Sequence, residues 1–228
     1  MITRKSSKDA KPESNNKAES PSTPNTENDL LNNPLIQLKI VYWGPGESGK
    51  TTNWKVLKNH PKISRLNFGM SVETTDGRTL WQDSIFLRFD LNIKAGNDRY
   101  ILVTQLTTAT GQERFLSTRE YILSGADGVV FVADSNPAMM EQNKRSFREL
   151  LNFTSALKIP YIIQLNKRDL DTALSLKDFK KELGLPESEL DDQGNPIVYE
   201  AVAINGEGVL RCFRDIVGLS LYECFTQK

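Results

Sequence analysis

Eight residues constrain this chain more than any others: Gly44-Pro45-Gly46-Glu47-Ser48-Gly49-Lys50-Thr51, which fit the pattern G-x-x-x-x-G-K-[ST]. They follow a short apolar run, Leu38 to Trp43 (LKIVYW), and lead into a helix-like stretch from Lys50 to Asn59. A strand that turns through glycines and restarts as a helix is the setting this pattern needs. The turn's amides point inward around an anion, and the first helical turn adds the partial positive charge of its unpaired N–H groups. Glycine lets the backbone approach phosphate oxygens with no Cβ in the way. Gly44, Gly46, Glu47, Ser48, Gly49, Lys50, Thr51 and Thr52 are therefore candidate phosphate-binding residues. Lys50 suits the β- and γ-phosphates, and the Thr51 hydroxyl suits Mg²⁺. Average composition gives a chance match in a chain this long with odds of roughly one in a hundred, and the strand–loop–helix placement argues further against a mere glycine turn.

The rest of the domain alternates strand and helix. Ser84 to Ile93 and Tyr100 to Leu106 are β-rich runs joined by Ala95-Gly96-Asn97-Asp98, which predicts an antiparallel hairpin. Gly128 to Ala133 (GVVFVA) and Tyr161 to Leu165 (YIIQL) are near-continuously apolar, as strands buried on both faces should be. Between them a helix is expected from about Pro137 to Leu157, with Phe147, Leu150, Leu151 and Thr154 on its inner stripe. A helix from about Leu176, a strand from Ile197 to Ala203 and a last helix from about Gly208 complete the pattern. The expected fold is α/β, a mostly parallel six-stranded sheet with helices on both faces. Residues 1–33 are dominated by Ser, Thr, Asn, Pro, Lys and Glu and carry no aromatic residue. Such a segment cannot bury enough apolar area to offset its ordering entropy, so a disordered tail is expected ahead of a domain spanning residues 34–228.

A second motif, Asn166-Lys167-Arg168-Asp169, directly follows the apolar strand ending at Leu165. A carboxylate there can accept hydrogen bonds from both N1 and the exocyclic N2 of guanine; adenine offers no such donor pair. Asn166 and the aliphatic stem of Lys167 would brace the loop and the base. Alone, N-K-x-D is also a good surface turn. Placed at a strand end, downstream of the phosphate loop, it favours GTP over ATP and disfavours an ATPase or kinase.

With both motifs in view, the domain resembles the Ras-like small GTPases, which are P-loop NTPases, and among these the prokaryotic MglA group. The residues carrying the likeness are GPGESGKTTN (44–53), RTL (78–80), TATGQ (108–112), ADGVVFVADS (126–135), IPYIIQLNKRDL (159–170) and AVAINGEGV (201–209). The resemblance implies a Ras-like G domain that binds GTP/GDP with Mg²⁺, hydrolyses GTP and signals through two switch segments, about Gly69–Leu80 and Thr108–Ser117. It implies that the Gly111 amide senses the γ-phosphate, that Gln112 orients the attacking water, and that Val202, Ala203 and Ile204 form the last base-contacting loop. Most of the family carries aspartate at the position of Thr108; threonine there is similar to the MglA group. Thr74, Thr75 and Thr79 can each supply a Mg²⁺-bound hydroxyl, and the MglA-like R-T-L pattern favours Thr79. Arg78 reads either as an arginine finger supplied in cis or as an exposed residue of the Asp76-Gly77 turn. His60, before Pro61, reads as a helix-end residue. The likeness further implies a roadblock-type (MglB-like) regulator, effector proteins and a polarity or trafficking role.

Composition bounds the remaining classes. With 29 basic and 29 acidic side chains the net charge is zero, which gives no electrostatic case for nucleic acid or an anionic membrane surface. No run approaches 18 consecutive apolar residues, so no integral membrane segment is expected. Cys212 and Cys224 suit neither a disulfide framework nor a metal pair, which points to a reducing, cytoplasmic compartment. One rival function stands beside the switch: a scaffold holding GTP without hydrolysing it, like the signal-recognition-particle receptor β subunit. Thr108 supports that rival and Gln112 opposes it.

Overall fold

The computed structural model of the chain describes residues 33–61, 63–66, 84–93, 98–109, 121–191 and 194–226. The tail, residues 95–97 of the expected hairpin turn, all of switch I and most of switch II, and with them Thr74, Thr75, Arg78, Thr79, Gly111 and Gln112, lie outside these residues.

Nine residues, Leu35–Trp43, form β1 and lead into helix α1 (Lys50–Lys58). Then come β2 (Ser64–Leu66), β3 (Ser84–Ile93), β4 (Asp98–Thr108) and β5 (Gly128–Asp134). A single 3₁₀ turn at Pro137–Met139 opens helix α2 (Met140–Leu157), followed by β6 (Tyr161–Asn166), α3 (Leu176–Leu183), β7 (Val198–Glu200) and α4 (Val209–Thr226). The strands make one sheet in the order β2-β3-β4-β1-β5-β6-β7. β1 pairs in parallel with both β4 and β5, and β5, β6 and β7 continue in parallel; β3 runs antiparallel to β2 and β4.

The mixed, mostly parallel α/β architecture is as expected, but some elements differ. The six expected strands gain a seventh, β2, which pairs with Phe86–Arg88 at the antiparallel edge. Three residues carry too little alternation to announce a strand; the exposed edge of β3 supplies its pairing. Conversely the last strand, expected over Ile197–Ala203, ends at Glu200. Ala201 N–H still donates to the Leu165 carbonyl, but Ala203 N–H turns to the Asn166 side chain and the chain enters a 3₁₀ turn at Ala203–Asn205.

Period-two alternation explains why the central strands read as unbroken apolar runs. Ile40 and Tyr42 of β1, with Val130 and Val132 of β5, face Trp54 and Leu57 of α1 and Phe213 and Ile216 of α4. Val41, Trp43, Val129 and Phe131 point the other way, onto Phe147 and Leu150 of α2 and Phe179 of α3. Phe131 and Phe147 meet with ring centroids 5.0 Å apart, and both are buried. Truncating either to alanine would cost about 3–5 kcal/mol. The expected stripe of α2 is confirmed, with Phe147, Leu150 and Thr154 buried and Leu151 partly so. What this arrangement positions is the end of β1. After β1 the chain crosses to the far edge at β2, returns inward through β3 to β4 beside β1, and then crosses to β5 on the other side of β1; α/β folds bind ligands at the carboxyl ends of strands where the order reverses.

Candidate functional site

The loop after β1 is held by close backbone approach. Gly44 (φ 147°) and Gly49 (φ 101°) adopt backbone that side chains disfavour, and added Cβ atoms would strike the Val132 carbonyl oxygen and the Asn166 Nδ2, respectively. Lys50, buried, curls back along the loop, its Nζ donating to the carbonyls of Gly44 (3.0 Å) and Pro45 (2.6 Å). Helix α1 starts at Lys50 with no side-chain cap and no acidic residue in its first turn, so no carboxylate of that turn offsets the positive end of its dipole. Among the described residues, none accepts a hydrogen bond from the backbone N–H of Gly46, Ser48 or Gly49. The Ser48 hydroxyl is likewise buried without a partner. Donors without acceptors beside a helix N-terminus fit a polyphosphate.

A buried amide relay anchors this loop to the sheet. Gln164 of β6 donates its Nε2 to Asn53 Oδ1 (3.0 Å), and Asn53 donates its Nδ2 to the Gly49 carbonyl (3.0 Å). Asn166, at the end of β6 and only 2% exposed, does more. Its Nδ2 donates to the Ser48 carbonyl (2.8 Å) and its Oδ1 accepts the Ala203 N–H (2.9 Å). One side chain therefore joins three loops: the phosphate loop, the Asn166–Asp169 turn and the Val202–Ile204 segment.

In that turn Lys167 takes φ 64°. Among the described residues only Glu47, Lys158 and Lys167 are non-glycines at positive φ, and two of these lie in the proposed nucleotide loops. Such strain, of order 1–3 kcal/mol each, persists only where surroundings enforce it. Here they do: the Lys167 Nζ pairs with Asp134 Oδ2 at 2.7 Å, and the Lys167 carbonyl accepts from Ser135 Oγ at 2.7 Å. Arg168 points away, to Glu200 (2.7 Å) and the Leu174 carbonyl. Asp169 is exposed on the turn, as is Ile204, whereas Val202 and Ala203 are buried.

The structure thus brings Gly44, Gly46, Glu47, Ser48, Gly49, Lys50, Thr51 and Thr52 together with Asn166, Lys167, Asp169, Val202, Ala203 and Ile204. Thr108 is buried at the end of β4, in register with Tyr42 of β1, so the segment it opens starts beside the phosphate loop. Sequence reasoning did not identify Asn53, Gln164, Asp134, Ser135 or Asn143 as site residues. A buried carboxylate closing an apolar strand was the available signal at Asp134. Among the described residues no group of three or more His, Cys, Asp or Glu could hold a metal ion. A divalent ion here would rest on hydroxyl, phosphate and water oxygens, a set that Mg²⁺ accepts. His60 follows the α1 C-terminus, its N–H donating to the Leu57 carbonyl.

Comparison with known proteins agrees with this geometry. The ADP-ribosylation factor family matches residues 108–218. The mutual gliding-motility protein MglA of Myxococcus xanthus is 38% identical over 194 residues, covering 82% of this chain and 92% of that protein. Human ADP-ribosylation factor-like protein 4A is 28% identical, covering 79% of this chain and 82% of its own length, and ADP-ribosylation factor-like protein 6 of Caenorhabditis elegans is 25% identical over 78% and 84%. These relatives favour a hydrolysing switch over a GTP-holding scaffold. The chain belongs to the Arf/Ras-like small GTPase family, in its MglA-like group, and is a GTP-binding molecular switch that hydrolyses GTP to GDP.

Proposed function

We propose that GTP and GDP bind across the loops joined by Asn166, with the phosphates against residues 44–52 and guanine against Asn166, Lys167, Asp169 and the Val202–Ile204 segment. The observation that carries this reading is the double hydrogen bond of Asn166, which fixes the phosphate loop to both base-side loops. In the reaction, water attacks the γ-phosphorus in line with the departing GDP. Lys50 exchanges its loop carbonyls for β- and γ-phosphate oxygens, α1 adds its dipole, and Gln112 orients the water. Arg78, if it acts as the finger, offsets charge on the transferred phosphoryl, a contribution of about 10³–10⁵ in rate where such fingers operate. Thr51 and Thr79 would hold Mg²⁺, which supplies charge neutralisation at the β- and γ-phosphates. Gly111 reports the γ-phosphate to switch II, and hydrolysis releases both switches.

A roadblock-type regulator stimulates hydrolysis, effectors read the switches in polarity or trafficking control, and the protein works in the cytoplasm with residues 1–33 as a dispensable tail. No helix among the described residues is long and apolar enough to cross a membrane. Single-turnover hydrolysis with and without the regulator tests this. Gln112→Leu should lower the rate constant at least tenfold, and Arg78→Ala should lower the stimulated rate, both without weakening GTP binding. Parent-like hydrolysis by Gln112→Leu would remove the water-orienting role; parent-like hydrolysis by Arg78→Ala alone would leave Arg78 as a turn residue.

A further inference from the structure

The guanine-side loop is governed by a carboxylate outside its own motif. Asp134 closes β5, is 1% exposed, and uses both carboxylate oxygens: Oδ2 meets the Lys167 Nζ at 2.7 Å, and Oδ1 accepts the Asn136 N–H at 2.9 Å. Asn143 of α2 clamps its backbone from both sides, accepting the Asp134 N–H (3.0 Å) and donating to the Asp134 carbonyl (2.8 Å). The next residue, Ser135, holds the Lys167 carbonyl through its hydroxyl and donates its N–H to the Asn166 carbonyl (3.0 Å). Lys167 is thus gripped at both ends by the end of β5, its backbone in the left-handed region and its ammonium drawn back to a fixed carboxylate. A lysine stem has four rotatable carbons and is floppy by default. Stretched between these anchors it becomes a rigid apolar bar.

We infer that Asp134 is a positioning residue for nucleotide binding: it pins the Lys167 stem as one wall of the base pocket and so sets how long guanine nucleotides stay bound. This rests on the proposed placement of guanine at Asn166–Asp169. The same chain of contacts, Asn143 to Asp134 to Lys167, ties α2 mechanically to the base pocket. Because the stem presents CH₂ groups to the ring face rather than donors or acceptors to its edge, the latch governs residence time and not the choice of base. Edge recognition belongs to Asp169.

The test is the dissociation rate of a fluorescent GDP analogue from the full 228-residue chain. Asp134→Asn keeps the size and the acceptor for Asn136 while removing the charge that holds Lys167. Dissociation should accelerate by about tenfold, between the effects of breaking an exposed and a buried pair. GDP and IDP, which differ only in the exocyclic N2, should be affected by the same factor. Lys167→Met should accelerate dissociation by itself, and adding Asp134→Asn to it should change little, since the carboxylate then has no ammonium to hold. A rate for Asp134→Asn within twofold of the parent overturns the proposal. So does an Asp134→Asn effect that persists undiminished in the Lys167→Met background, or one that differs between GDP and IDP, because either would mean general loosening of the loop. Should Asp134→Asn not fold, Lys167→Met and Lys167→Arg decide alone: an arginine reaches the same carboxylate, so parent-like release by Arg with fast release by Met supports the latch, and equal rates for the two overturn it. If the parent chain does not retain the GDP analogue at all, the guanine-site reading falls first and the latch with it.

Discussion

Asn166→Ala is the sharpest perturbation of the site's architecture. The substitution removes a side chain that is 2% exposed and deletes two hydrogen bonds, of 2.8 and 2.9 Å. It also leaves the Ser48 carbonyl and the Ala203 N–H buried without their partner. An orphaned buried polar group costs about 1–3 kcal/mol, so the pair should cost about 2–6 kcal/mol, with about 3 kcal/mol as a working figure. In a domain of this size 1 kcal/mol moves Tm by about 2–4 °C, which predicts a fall of about 6–12 °C. Thermal melts followed by far-ultraviolet circular dichroism measure this, with GDP present at a fixed multiple of each variant's own Kd so that ligand linkage does not differ between samples. Asn205→Ala provides the control: its side chain is exposed, and Tm should stay within about 1 °C. If Asn166→Ala melts within 2 °C of the parent, the three loops are not held together by this amide, and the cradle must owe its shape to backbone packing alone.

Lys50→Ala should abolish measurable retention of GTP and GDP while leaving far-ultraviolet circular dichroism unchanged, because the Nζ bonds to the Gly44 and Pro45 carbonyls lie within the loop and hold no strand or helix together; equilibrium dialysis checks retention. Burial pushes the Cys212 thiol up to about 12, from an ordinary 9.0, whereas Cys224 is exposed, so a thiol reagent at pH 8 should modify one cysteine of the native chain and two after denaturation. The same shift makes stability pH-dependent. The thiol stays protonated in the fold and ionises in the unfolded chain, so its contribution is complete below pH 9 and is lost as pH rises from 9 towards 12. Tyr42, Tyr161 and Tyr199, raised by burial, act in the same sense from their ordinary value of 10.0 upward. The guanidinium midpoint should therefore be lower at pH 10 than at pH 7.5.

Much of this was legible in the sequence because the constraints are local. Glycines at 44 and 49 fall at the fixed spacing of one eight-residue pattern and take positive φ within that loop, and the apolar runs of β5 and β6 record burial on both faces. What was not legible depends on partners far along the chain. Strand β2 exists through its pairing with β3, β7 stops because the side chain of Asn166 captures the Ala203 N–H, and β1 begins at Leu35 rather than Leu38 because Leu35–Gln37 pair with Ile101–Val103 of β4. Asn143, Asn53 and Gln164 look like ordinary polar residues in one dimension. Their roles appear only when β5, α1, α2 and β6 converge on the same end of the sheet.

Base selectivity tests the central claim most directly. Competition of GTP, ATP and XTP against a fluorescent GDP analogue, on the parent and on Asp169→Asn, reads it in one titration series. GTP should displace the probe from the parent far more effectively than ATP, and Asp169→Asn should shift preference from GTP towards XTP, whose C2 carbonyl matches an amide donor. Equal competition by ATP and GTP on the parent, or an Asp169→Asn variant that still prefers GTP as strongly as the parent does, would contradict the account.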